Sequence, residues 1–285
     1  MRTIVHLSDL HFNRVDEALL TPLRDCLHSL SPHLVVVSGD LTQRARSAEF
    51  SAARDYLNRL PGPQLIVPGN HDVPLYNIFA RFLQPFKKYA RYINPDFNPV
   101  FVDDEIAVVG LNSARSLVIK DGRINRDQVE QVREHFRGLS ATHLKIVVTH
   151  HPFELPPAFP TGKKLNKDEI INRATKAMKT FAELGTDILL SGHLHMSNVT
   201  DTDARYPNPD FAALVVQAGT ATSTRARGEA NSFNVLQLST NEIRVQRYRW
   251  DSATSHFLVD ADDRFQREGE RWVNRIAPNL PASDF

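Results

Sequence analysis

Five short stretches of this chain carry metal-binding side chains, and each directly follows an apolar run. "SDLH" supplies Asp9 and His11, "SGD" supplies Asp40, and "GNHD" supplies Asn70, His71 and Asp72. "THHP" supplies His150 and His151, and "SGHLH" supplies His193 and His195. Carboxylates, imidazoles and amide oxygens are the donors that transition-metal ions take. Each has a plainer reading alone. Asp9 could cap a helix, Asp40 and Asn70 suit turns, and His193 with His195 could be a chance pair. Five clusters at equivalent places are a different matter, because random placement rarely produces them.

The elements that would position these residues are legible as alternating runs. "TIVHLS" (3–8), "HLVVVS" (33–38), "QLIVP" (64–68), "IAVVGLN" (106–112), "LKIVVT" (144–149) and "DILLS" (187–191) read as strands buried on both faces. Helical patterns lie between them near 15–30, 47–60, 74–93, 125–138 and 167–184, with Asn125 as an expected N-cap. This alternation argues for an α/β fold, in which sites assemble at the carboxyl ends of strands. After about residue 197 the texture changes. "ALVVQAGTAT", "SFNVLQLS" and "EIRVQRYRW" read as successive strands of a second, more antiparallel sheet. The Pro-rich stretch 151–164 reads as a long loop, a candidate lid reaching to residue 167.

Composition narrows the class. With 285 residues and 41% hydrophobic content the chain can bury a large core. A formal charge of +1, from 34 basic and 33 acidic residues, argues against a broad surface for extended nucleic acid. Cys26 is the only cysteine, which excludes an intrachain disulfide and suggests a cytoplasmic setting. No run of about 18 apolar residues suggests a membrane span.

Asp9-x-His11, Gly39-Asp40, Gly69-Asn70-His71-Asp72, His150 and Gly192-His193-x-His195 resemble the five motif blocks of the calcineurin-like metallophosphoesterases, in the family's order. The resemblance implies a four-layer αββα sandwich of two mixed β-sheets flanked by helices, with a dinuclear metal centre at one edge. Carried over by position, Asp9, His11 and His195 would hold one metal, Asn70, His150 and His193 the other, and Asp40 would bridge them. His150 is preferred to His151 because the family's ligand lies two residues before the proline matched by Pro152. His151 then reads as a packing neighbour. The donor set favours Mn, Fe, Zn or Co over Ca or Mg. The family places His71 beside the phosphate, as proton donor or charge stabiliser, with Asp72 orienting it.

The blocks also bear on substrate. The family's large protein phosphatases carry Asp-Arg-Gly after the bridging aspartate and end the third block in Glu, unlike "GDLTQR" and "GNHD" here. The motif style is closer to bacterial cyclic-nucleotide phosphodiesterases, so a cAMP-type cyclic nucleotide is the leading small phosphate-ester substrate. Gln43-Arg44 departs from the usual second block. Alternatives are a phosphomonoesterase, a pyrophosphatase or lipid-phosphodiester hydrolase on the same centre, or a metal-binding scaffold without activity. The family's lipid-linked pyrophosphatases usually have Arg where His71 stands.

Within 77–93, Phe79, Phe82, Phe86, Tyr89 and Ile93 fall at helical spacing and read as a packing face, with a homo-oligomer contact or a lipid-binding surface as alternatives. Lys163, Lys164, Lys167, Arg225 and Arg227 read as solvated surface charge. Residues 1–260 are expected to form the catalytic domain and 261–285 a C-terminal tail.

Overall fold

Six apolar runs become strands in the computed structural model, which describes residues 1–116, 121–156, 171–225 and 228–275. β1 (Arg2–Leu7), β2 (Leu34–Val37) and β3 (Gln64–Ile66) pair in parallel. α1 (Glu17–Leu30) and α2 (Ser47–Leu57) cross between them. Two short helices, α3 (Ile78–Leu83) and α4 (Lys87–Tyr92), then lead to the hairpin of β4 (Val100–Val102) with β5 (Ile106–Gly110). α5 (Arg126–Phe136), β6 (Leu144–Val148), α6 (Ala174–Glu183) and β7 (Ile188–Ser191) continue the alternation. β8 (Asn198–Asp201), β9 (Leu214–Gln217), β10 (Ser232–Ser239), β11 (Glu242–Asp251), β12 (His256–Glu268) and β13 (Arg271–Asn274) complete the chain.

The strands form two mixed sheets, one ordered β13-β12-β11-β10-β1-β2-β3 and the other β4-β5-β6-β7-β9-β8. Three apolar clusters show the layering. Ile4, Val36, Leu65, Val108, Ile146, Leu190, Val216 and Leu236 pack face to face between the sheets. Leu23 and Leu27 of α1, Phe50 and Tyr56 of α2 and Tyr89 of α4 cover the outer face of the first sheet. Val132 and Phe136 of α5, with Met178 and Phe181 of α6, cover the second. This is the expected αββα sandwich. Asn125 caps α5 as expected, its side-chain oxygen accepting from Gln128 N at 2.8 Å.

Three expectations need correction. The strands after residue 197 do not make a sheet of their own. β9 pairs in parallel with β7, whereas β10 pairs antiparallel with β1. The segment expected as one helix over 74–93 is two, because Pro85 interrupts it: proline lacks an N–H and steers the preceding Gln84 out of helical geometry. Its apolar residues consequently part company. Tyr89 is buried, while Phe79 is 80% exposed beside exposed Tyr76, Phe82 and Leu83. Finally, β12 and β13 carry the first sheet through Asn274, so the ladder runs past residue 260 where a tail was expected to begin. Most of the candidate lid (157–167, including Lys163, Lys164 and Lys167), Arg227 and residues 276–285 lie outside the described residues.

Candidate metal centre

Parallel pairing sends the carboxyl ends of β1, β2 and β3 to one edge of the first sheet, and those of β6 and β7 to one edge of the second. The two edges are stitched together. His150 Nδ1 donates to Ser38 O at 2.7 Å and His193 N donates to Asp9 Oδ2 at 3.0 Å. Two glycines permit the close approach. A Cβ on Gly69 would stand 2.1 Å from Asp40 Oδ1, and one on Gly192 1.8 Å from Ser8 Oγ. Asp9, His11, Asp40, His193 and His195 all have positive φ, from 50° to 71°. That conformation costs an L-residue roughly 1–2 kcal/mol, and Asp, Asn and His tolerate it best among ordinary residues.

The seven candidate ligands come together. His11 Nδ1 faces Thr42 O at 3.4 Å and His195 Nδ1 faces Arg225 O at 3.2 Å, so each carries its proton there. Their Nε2 lone pairs then face each other at 3.1 Å. Both also face Asp9 Oδ1, at 3.4 Å and 3.1 Å. That oxygen is buried without a hydrogen bond of acceptable geometry. His150 Nε2 lies 3.0 Å from Asn70 Oδ1 and 3.3 Å from His193 Nδ1, and Asn70 Oδ1 lies 3.1 Å from His193 Nδ1. Asp40 Oδ2 sits between the groups, 3.7 Å from His11 Nε2 and 3.4 Å from His150 Nε2. Lone pairs held against one another repel unless a proton or a metal ion lies among them. Ligand bonds of about 2.0–2.2 Å place neighbouring donors about 3.0–3.6 Å apart, and all these separations but the 3.7 Å from Asp40 to His11 fall within that range. These side chains fit a transition-metal site.

His151 is packed beside this cluster. Its Nδ1 meets Ser113 Oγ at 2.9 Å, and its ring lies 5.0 Å from that of His150 and 4.6 Å from that of His193. One of its ring nitrogens lies within 4.8 Å of ligand atoms of His150 and His193.

Asp72 requires a correction. Its carboxylate does not meet the His71 ring. It accepts from Gly69 N, Leu41 N, Thr42 N and Thr42 Oγ1, at 2.9 to 3.2 Å, and so clips the Asn70–Asp72 turn to the Asp40 loop. His71 Nδ1 instead donates to Gln43 O at 2.9 Å. Burial and the charge of Asp40 push the Asp72 carboxyl up to about 6, against those hydrogen bonds. Asp72→Ala would strand three buried N–H groups and is expected to destabilise the fold by roughly 3 kcal/mol or more. Chemical denaturation of the variant measures that loss.

Arg225, expected to be solvated, is half-buried at the cluster's rim, where Nη1 donates to His71 Nε2 at 3.1 Å and to Gln43 Oε1 at 3.4 Å. No local sequence signal marks it. Its approach depends on residues 218–224 lying along the loop after β1, through Thr220 Oγ1 to Asp9 O, Thr222 Oγ1 to Leu10 O and Thr224 N to Arg14 O.

Protonation follows from this crowding. Burial pushes the Asp9 and Asp40 carboxyls up, but the neighbouring imidazoles, His195 for Asp9 and His150 for Asp40, hold both well below the usual range. Burial pulls His150 down, yet Asp40 outweighs it and leaves the imidazole raised to about 9. Burial pulls His193 and His6 down to about 3, with the His150 charge adding to the effect on His193. His150 thus stabilises the metal-free protein fully below its ordinary 6.5, and that contribution is lost as pH rises through about 9. His6 and His193 act oppositely, since the unfolded chain takes up their protons as pH falls from 6.5 towards 3. The Tm of chelated protein is expected to fall on both sides of about pH 6.5. A cation held by His150 would have to displace its proton, so metal affinity would then rise up to about tenfold per pH unit until about pH 9. Competition titrations with a chelator read that slope.

Fold and donor set together define a metallophosphoesterase-type protein. The chain belongs to the calcineurin-like phosphoesterase family, a metal-dependent one, whose family model matches residues 2–197. It is similar to a glycerophosphodiester phosphodiesterase, GpdQ, of Enterobacter lignolyticus, with 31% identity over 36% of this chain and 44% of that protein. It is also similar to a probable cyclic nucleotide phosphodiesterase of Synechococcus, with 29% identity over 53% of this chain and 58% of that one. The chain therefore spans about half the length of these curated relatives. Among solved structures, a purple acid phosphatase from yellow lupin (Lupinus luteus) seeds shares the fold, with a TM-score of 0.64 and 13% identity over 94% of this chain and 54% of that one. Among the described residues no helix is long and apolar enough to cross a membrane.

Proposed function

We propose that the protein is a metal-dependent phosphodiesterase with a dinuclear centre, acting on a small phosphodiester, with a cAMP-type cyclic nucleotide as the leading substrate. Asp9, His11 and His195 would hold one ion and Asn70, His150 and His193 the other, with Asp40 bridging. The observation that carries this reading is the convergence of two lone-pair groups on one oxygen, Asp40 Oδ2. Mn, Fe, Zn or Co suit the mixed imidazole and carboxylate donors. Two such ions, when bound, would supply Lewis acidity for a phosphate oxygen and lower the pKa of a water towards 7.

The chain's own residues complete the chemistry. His71 is tied through Nδ1 to Gln43 O, which turns Nε2 towards the site and its ring edge-on to His11, 5.0 Å away. Once Nε2 has taken up a proton from water, the ring could place it on the leaving oxygen. The two curated relatives named above are both described as phosphodiesterases, which favours a diester over a monoester. Near-neutral net charge favours a small substrate over extended nucleic acid.

Mn²⁺-reconstituted protein, assayed in parallel on bis-p-nitrophenyl phosphate and p-nitrophenyl phosphate, tests the reading. Preferential diester cleavage is expected, followed by a panel of cyclic nucleotides, glycerophosphodiesters and nucleotide-sugar lipids. Preference for the monoester would move the assignment to a phosphomonoesterase. Fully metal-loaded protein that cleaves neither would make the chain a metal-binding scaffold.

A further inference from the structure

We infer that Arg225 is the phosphate anchor of this site, binding a substrate phosphate oxygen between its guanidinium and His71; the inference rests on the phosphodiesterase reading. Without substrate, Nη1 donates to two neutral acceptors, His71 Nε2 at 3.1 Å and Gln43 Oε1 at 3.4 Å. Among the described residues no carboxylate lies within ion-pair distance of this guanidinium, although it is half-buried. Arg2, Arg247 and Arg267, half-buried like it, each meet an Asp or Glu, whereas Arg115 is held by the neutral amide oxygen of Gln128. A cation left unneutralised beside a candidate metal centre is poised for an anion from outside.

The position is built. Thr222 and Ser223 are fully buried, Ser223 Oγ accepts from Arg225 N at 3.1 Å, and Arg225 O fixes His195 through Nδ1. Backbone and side chain therefore face different tasks. The carbonyl steadies a candidate metal ligand, while the guanidinium reaches past it to His71. A phosphate oxygen is a charged acceptor and forms a stronger hydrogen bond with guanidinium than either neutral partner does. Entry of the phosphate would draw Nη1 off His71 Nε2 and free that nitrogen to take up a proton from water, which it could then pass to the leaving oxygen. The geometry assigns Arg225 to recognition of the phosphate itself, so it would not discriminate among esterified groups.

Binding of inorganic phosphate to metal-loaded protein, followed by calorimetry, separates this from catalysis. Arg225→Ala is expected to keep its metal content, because the carbonyl to His195 survives, and to bind phosphate about 10- to 100-fold more weakly. KM for a diester should rise by a similar factor, and by a larger one than the fall in kcat. Arg225→Lys should recover part of the phosphate affinity by charge alone. Unchanged phosphate affinity in Arg225→Ala overturns the assignment, and so does loss of metal, which would make the side chain a structural support. If wild-type protein binds phosphate through Arg225 yet cleaves no ester, the phosphodiesterase reading fails and the anchor stands.

Discussion

An Asp40→Asn protein is expected to lose hydrolysis of bis-p-nitrophenyl phosphate by about three orders of magnitude or more, and to retain fewer than the wild-type number of metal ions. The side chain keeps its shape, so the loss isolates the charge. Oδ1 accepts from His71 N at 2.8 Å, a bond that an amide oxygen can still accept. Oδ2 is the atom that faces both His11 and His150, and it is there that a bridging negative charge would be missing. A second readout needs no substrate. Asp40 is what raises His150 to about 9, so in chelated Asp40→Asn the alkaline decline in Tm should shrink while the acid decline from His6 and His193 persists. Full metal content and undiminished turnover in the variant would remove Asp40 from the centre.

The sequence showed the donors because strands buried on both faces read as unbroken apolar runs, and the residue types that follow them are few. Which of these residues neighbour one another was less legible. Asp72 lies next to His71 in the chain, which suggested an orienting pair, but a 3-10 turn over Asn70–Asp72 points successive side chains in different directions. The carboxylate meets the Asp40 loop, some 30 residues away, and Gln43 O takes the imidazole proton instead. Gln43 had stood out only as a departure from a motif. Arg225 was invisible for a similar reason: 154 residues separate it from His71, and only the folded path of 218–224 brings them together.

At the level of the sheets, the same distinction between local pattern and pairing decides what could be read. β9 is four consecutive buried residues, Leu214–Gln217, the signature of a strand inside a parallel sheet, and it pairs with β7 accordingly. β11 has exposed or half-buried positions interspersed with buried Ile243 and Val245, as an antiparallel strand does. The antiparallel texture after residue 197 was therefore real for β8 and for β10 to β13, with β9 the strand that also pairs in parallel. Pro85 carried a clear signal that the helical period across it masked, since aromatic residues happen to keep their spacing on both sides of the break.

The remaining large effect concerns His71, and it separates chemistry from metal binding. His71→Ala is expected to keep the wild-type metal content while losing about 10²- to 10⁴-fold in kcat on an unactivated phosphodiester. The ring belongs to neither lone-pair group, and the bond that His71 makes to Asp40 comes from its backbone N–H, which alanine retains. What disappears is Nε2, the nitrogen that Gln43 O orients by holding Nδ1–H. The deficit should depend on the leaving group. p-Nitrophenolate departs without needing a proton, so bis-p-nitrophenyl phosphate should suffer less than an alkyl or ribosyl diester. Equal losses on both substrates would mean that His71 acts by stabilising charge on the phosphate and does not deliver a proton. No loss on either would leave the centre to work through its metals and Arg225 alone.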